Sequence, residues 1–241
     1  MGSSIKICKS IDELSQFFAL KLVALIREIP ANAFFSLALS GGSTPRQVFS
    51  YLASNFRDQI DWQKIQVFWG DERCVAPESD ESNFRMAKDS FLDYLPIPAN
   101  NIFRIRGEDN PSVEAGRYGE IVRQFVPSLQ NVPQFDFIML GLGEDGHTAS
   151  LFPGDLHLFS SDRLFEVAEH PQTKQKRITV TGKMINHART IVFIVTGEAK
   201  AEMVARIHNK REGWAKLPAS LVHPGNGELL WLLDEKAALK L

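Results

Sequence analysis

Five short, almost wholly apolar runs recur along this chain: Phe34–Leu39 (FFSLAL), Ile65–Trp69 (IQVFW), Phe135–Leu140 (FDFIML), Thr190–Thr196 (TIVFIVT) and Leu229–Leu233 (LLWLL). Apolar runs this short, without strict alternation, fit strands buried on both faces. Between them lie stretches of helical character. Ser10–Ile29 places Leu14, Phe18, Leu22, Leu25 and Ile29 on one face, opens with Ser10 and Glu13 in capping-box spacing, and stops at Pro30. Pro45–Phe56, Asn83–Leu92, Pro111–Val126 and Glu198–His208 also read as helices, and Ile102–Ile105 and Arg177–Thr181 as further short strands. Ala76–Ser82 and Ser160–Lys176 read as loops. Strands alternating with helices predict an α/β chain with parallel β-α-β units and helices on both faces of the sheet. No repeat or linker interrupts the 241 residues, so residues 1–241 are expected to form a single domain.

Composition narrows the function classes. The formal charge of −2 gives no basic field for nucleic acid or anionic membranes, and no apolar run approaches the ~20 residues of a membrane span. The two cysteines, Cys8 and Cys74, form no C-x-x-C pair and suit a reducing compartment. The N-terminus lacks a basic segment followed by an apolar one, which argues against a signal peptide. Met1-Gly2 begins like a myristoylation signal, but Lys6 stands where Ser or Thr is wanted. The expectation is a cytoplasmic protein, monomeric or at most a homodimer, that binds a small molecule.

In open parallel sheets, ligands bind beyond the carboxyl ends of the strands. Three strands here end in unusual chemistry: Ser40-Gly41-Gly42-Ser43-Thr44, Gly70-Asp71-Glu72-Arg73, and Gly141 to His147. Gly41 and Gly42 let backbone amides approach a ligand, and Thr44, Pro45 and Gln47 read as the N-cap, first turn and capping box of the next helix. Ser43 is not flanked as a hydrolase elbow, G-x-S-x-G, requires. Arg73 suits a planar grip on phosphate or carboxylate, and Asp71 and Glu72 suit orienting it or accepting sugar hydroxyls.

Gly141, Gly143 and Gly146 match G-x-G-x-x-G, and Glu166 lies 20 residues beyond Gly146. Yet a dinucleotide fingerprint needs a long helix at once, and Pro153-Gly154 forbids one. His147 follows Asp145 by two residues. Histidine can take a proton from water near neutral pH, and a carboxylate can orient it. None of the six histidines has metal-ligand spacing, so no metal and no cofactor is expected.

These segments resemble the 6-phosphogluconolactonase family of the glucosamine/galactosamine-6-phosphate isomerase superfamily. The resemblance rests on LALSGGSTP (37–45), FWGDERCVAPESDESNFRMA (68–87), FDFIMLGLGEDGHTASLFPG (135–154), Arg177-Ile178-Thr179, Gly197-Glu198-Ala199-Lys200 and the segment from Leu217 to Asp234. It runs from about residue 10 to 238; the loop from Leu156 to Lys176 is not matched. Related deaminases follow their histidine with a pattern like I-A-F-N-E-P, whereas this chain has Thr148 to Pro153. The resemblance implies a Rossmann-like sheet, parallel with a mixed edge, similar to the glucosamine-6-phosphate deaminase and ribose-5-phosphate isomerase type. It implies hydrolysis of 6-phospho-D-glucono-1,5-lactone in the oxidative pentose phosphate pathway. His147 would be the base and Asp145 its partner. Gly41, Gly42, Ser43, Thr44, Asp71, Arg73, Arg177 and Lys200 would bind substrate, with the choice of phosphate ligand among Arg73, Arg177 and Lys200 left open. A sugar-phosphate-sensing module without turnover is the alternative; it would need the phosphate turn but no base.

Overall fold

The computed structural model describes residues 3–241; Met1 and Gly2, with the myristoylation-like start, lie outside them. The strands are β1 (Ser3–Cys8), β2 (Phe35–Leu39), β3 (Ile65–Trp69), β4 (Asp71–Arg73), β5 (Ser128–Leu129), β6 (Val132–Pro133), β7 (Phe137–Leu140), β8 (Phe165–Glu169), β9 (Lys176–Val180), β10 (Thr190–Val195) and β11 (Glu228–Asp234). The α-helices are α1 (Ile11–Arg27), α2 (Ser43–Asn55), α3 (Asn83–Ser90), α4 (Pro111–Phe125), α5 (Leu156–Phe159), α6 (Gly182–His187) and α7 (Ala201–His208).

Six strands form the central sheet in the order β1-β11-β10-β7-β2-β3. Every pairing in it is parallel. Strands β2, β3, β7 and β10 are buried along their whole length, as their almost wholly apolar runs predict. Asp136 fixes the join of β2 and β7: its carboxylate accepts from the backbone N–H and hydroxyl of Ser36, at 2.9 and 2.8 Å.

The antiparallel component expected at the sheet edge is a separate three-stranded sheet, β4-β9-β8. Gly70 is the pivot between the two sheets. Its N–H donates to Leu39 O (2.9 Å) and its C=O accepts from Val180 N (2.7 Å). The chain therefore leaves β3, turns at Gly70 and lays β4 across the carboxyl ends of the parallel strands.

Three local expectations need correction. Thr44 is not the N-cap of α2: Gly42 is, at φ 113°, with no side-chain cap. Thr44 Oγ1 instead pairs with Thr196 Oγ1 at 2.7 Å, beyond the end of β10. Ile102–Ile105 forms no strand; only Ile102 bridges to Val67. Ser160–Lys176 is not all loop, since it contains β8 and the turn of the β8–β9 hairpin.

Candidate active site

The three strand ends converge on one cleft of about 480 Å³. Its lining includes Gly41, Gly42, Asp71, Arg73, Gly143, Asp145, His147, Arg177 and Lys200, and Lys200 also lines the adjoining pocket with Gly41 and Gly42. Ser43 and Thr44 line smaller pockets next to it rather than the cleft itself.

The loop after β7 is a rigid mount for His147. Gly143 N donates to His147 O (2.9 Å) and Gly146 N to Gly143 O (3.0 Å), which closes a tight turn. Thr148 Oγ1 donates to Gly141 O (2.9 Å), and Ser150 N to Thr179 Oγ1 on β9 (3.1 Å). Gly146 sits at φ 86°, the left-handed region that glycine tolerates. Gly143 serves a different need: a methyl there would stand 2.1 Å from His147 Nδ1 and 2.6 Å from Asp145 Oδ1. The pair lies directly over that glycine.

His147 Nδ1 lies 2.6 Å from Asp145 Oδ1, and His147 N also donates to Asp145 Oδ1 (3.1 Å). Burial pushes the Asp145 carboxyl up, but the hydrogen bonds and charge of His147 outweigh it and bring it down to about 2. Asp145 is therefore ionised near neutral pH. An ionised Asp145 holds the imidazole proton on Nδ1 and leaves the Nε2 lone pair for a ligand. The imidazole is 29% exposed.

Asp71 is buried. Its carboxylate accepts from Ser150 Oγ (2.7 Å), and its C=O from Asn83 Nδ2 (2.9 Å). Asn83 in turn packs on Gly41, where a methyl would fall 1.9 Å from its Oδ1. The adjacent Glu72 is not a cleft residue. Its buried carboxylate accepts from Arg73 N, Ser82 Oγ, Asn83 N and Phe84 N, and so caps α3.

Arg73 and Arg177 are directly opposed residues of β4 and β9. Like charges so placed repel one another. The buried Nε atoms of both have no hydrogen-bond partner among the described residues. Burial pulls the Arg177 guanidinium down, Asp71 opposes this, and Arg73 adds to it. Arg177 also lies over the ring of the buried Phe152, 5.9 Å from its centroid, and His147 packs on the same ring at 5.0 Å. Lys200 pairs loosely with Glu144, at 3.7 Å. Among the described residues, no three His, Cys, Asp or Glu side chains are grouped to hold a metal ion.

The dinucleotide reading fails on geometry. The first α-helix after Gly146 is the four-residue α5, and Glu166 accepts from Ser161 Oγ at 2.7 Å on β8. Sequence reasoning missed Asn83, His170 and Gln172, which also line the cleft. Asn83 lay within a quoted motif. His170 and Gln172 sit in the hairpin turn that carried no pattern.

The family model described as glucosamine-6-phosphate isomerases/6-phosphogluconolactonase matches residues 9–231. The chain is 45% identical over 171 residues to a 6-phosphogluconolactonase of Treponema pallidum, covering 71% of each protein. It is 41% identical over 206 residues to one from Haemophilus influenzae, covering 85% of this chain and 86% of that protein. The structure of 6-phosphogluconolactonase from Trypanosoma cruzi superposes with a TM-score of 0.86 at 28% identity, over 100% of this chain and 97% of that one. The chain therefore belongs to the glucosamine-6-phosphate isomerase/6-phosphogluconolactonase family.

Proposed function

We propose that the chain hydrolyses 6-phospho-D-glucono-1,5-lactone to 6-phosphogluconate, with His147 as general base and no metal. The observation that carries this reading is the 2.6 Å His147–Asp145 contact in the lining of the cleft. With Asp145 accepting from Nδ1, Nε2 takes a proton from water as the water oxygen bonds to the lactone carbonyl carbon. The oxyanion then collapses, the ring C–O bond breaks, and the imidazolium returns its proton to the departing ring oxygen. Atoms balance with water alone, and no covalent enzyme intermediate forms. General base catalysis of this kind supplies ~10²–10⁴-fold. The relatives' names support the substrate.

The cleft offers two anion grips, and they suit different ends of the substrate. The N-terminus of α2, capped only by Gly42, leaves first-turn amides free, and Lys200 stands beside it. Free amides, the positive end of a 13-residue helix and a lysine suit the permanent phosphate dianion. Arg177 shares the Phe152 ring with His147, so the Arg73–Arg177 pair suits the carbonyl oxygen on which charge develops. Lys200→Ala is therefore expected to raise KM for the phosphorylated lactone and to weaken inorganic phosphate binding. Arg177→Ala is expected to lower kcat with phosphate binding kept. The reverse pattern, read by steady-state kinetics and phosphate titration, would exchange the two ends.

A further inference from the structure

A second imidazole faces the same cleft, and nothing in the proposed mechanism uses it. His170 lines the cleft from the turn joining β8 to β9. The turn is held in place. His170 N donates to Gln175 O and Lys174 N to His170 O, both at 2.9 Å, with Lys174 at φ 58°. Gln175 Nε2 donates to Glu81 Oε2 (3.1 Å), and Arg177 reaches Gln175 Oε1 (3.4 Å). His170 meets Phe152 edge to face, with ring centroids 5.2 Å apart. The buried Phe152 ring is thus a common wall for His147, Arg177 and His170.

The two histidines have opposite hydrogen-bond wiring. His147 faces a carboxylate through Nδ1. His170 Nδ1 accepts from the backbone N–H of Thr173 at 3.2 Å. An Nδ1 that accepts places the proton of a neutral imidazole on Nε2. His170 Nε2 bonds to no protein group among the described residues. Burial pushes His170 down, Arg177 and His147 push the same way, and Asp145 opposes them, which favours the neutral ring.

We propose that His170 is a substrate-binding donor whose Nε2–H hydrogen-bonds the lactone carbonyl oxygen, and the product carboxylate, on the Arg177 side of the cleft. The proposal rests on the lactonase reading for the identity of the oxygen and deepens it. One cleft would hold a histidine base and a histidine donor, distinguished by what each Nδ1 meets. Because a single net hydrogen bond is involved, removing it is expected to lower kcat/KM about tenfold.

Two variants separate the donor from the wall. His170→Phe keeps a ring against Phe152 and removes the donor; His170→Gln restores a donor. The expected result is a roughly tenfold loss of kcat/KM in H170F, substantial recovery in H170Q, and an unchanged Kd for inorganic phosphate in both. Full activity in H170F, equal loss in both variants, or weakened phosphate binding would overturn the proposal. Two-bond ¹H–¹⁵N correlations on the wild-type protein test the wiring without turnover. At pH 8 the proton is expected on Nε2 of His170 and on Nδ1 of His147; a proton on Nδ1 of His170 contradicts the proposal. Failure of the lactonase reading looks different: no wild-type turnover, with the His170 tautomer as expected.

Discussion

At the residue scale, the proposed chemistry turns on a few atoms around His147. His147→Ala should lower kcat by ~10²–10⁴-fold while KM changes little, because a base acts on the transition state rather than on substrate binding. Gly143→Ala is a second test of the same geometry. Gly143 is not at positive φ, and the atoms nearest to an added methyl belong to His147 and Asp145. Displacing that pair should cost kcat about 100-fold with little change in thermal stability; steady-state rates and a melting curve report both. The Asp145–His147 pair also has a stability signature. The Asp145 pKa lies below its ordinary value of 3.8, so its contribution is present above that value and is lost as pH falls towards 2. His147 and Asp145 were legible in the sequence because they are two residues apart in a glycine turn. His170 was not, because only the hairpin brings it to Phe152, and hairpin register is not written in the turn itself.

At the scale of elements, the apolar runs that become β2, β3, β7, β10 and β11 were readable because burial on both faces demands almost wholly hydrophobic sequence. β1 and β8 escaped: β1 is largely exposed, and β8 is half-buried and pairs with β9 across a polar turn. The start of α2 was misread for a related reason. Thr44-Pro45-Arg46-Gln47 satisfies the letters of a capping box, but the threonine hydroxyl finds Thr196, 152 positions away, and Gly42 ends the turn instead. Glu72 shows the same limit in reverse. Its letters suggested site chemistry, yet it fastens α3 to β4. Glu72→Ala strands buried amides and should destabilise the fold by about 3 kcal/mol in urea unfolding, with KM for the lactone altered less than by Lys200→Ala.

At the scale of the molecule, the topological feature that matters is the pivot at Gly70, which carries β4 and its arginine over the mouth of the parallel sheet. The order of strands was not legible, since pairing between distant runs leaves no local trace. We propose that residues 1–241 fold as one unit; coincident urea transitions by far-ultraviolet circular dichroism and tryptophan fluorescence are expected, and two separated transitions would contradict it. Stability should also depend on pH through His208, which burial pushes below 6.5 and which stacks edge to face on Trp231 at 4.7 Å. The unfolded chain takes up this proton first, so stability is complete above about 6.5 and declines as pH falls. His208→Phe should flatten the fall of Tm between about pH 7 and 5; an unchanged slope would remove His208 from the explanation. The most direct test of the central claim is hydrolysis of freshly generated 6-phosphoglucono-δ-lactone, followed by acid release with spontaneous opening subtracted. It should be run on wild type with and without EDTA and on His147→Ala. EDTA should leave turnover intact, and His147→Ala should lower it at least ~100-fold; turnover lost to EDTA, or kept at the wild-type rate without His147, would contradict the assignment.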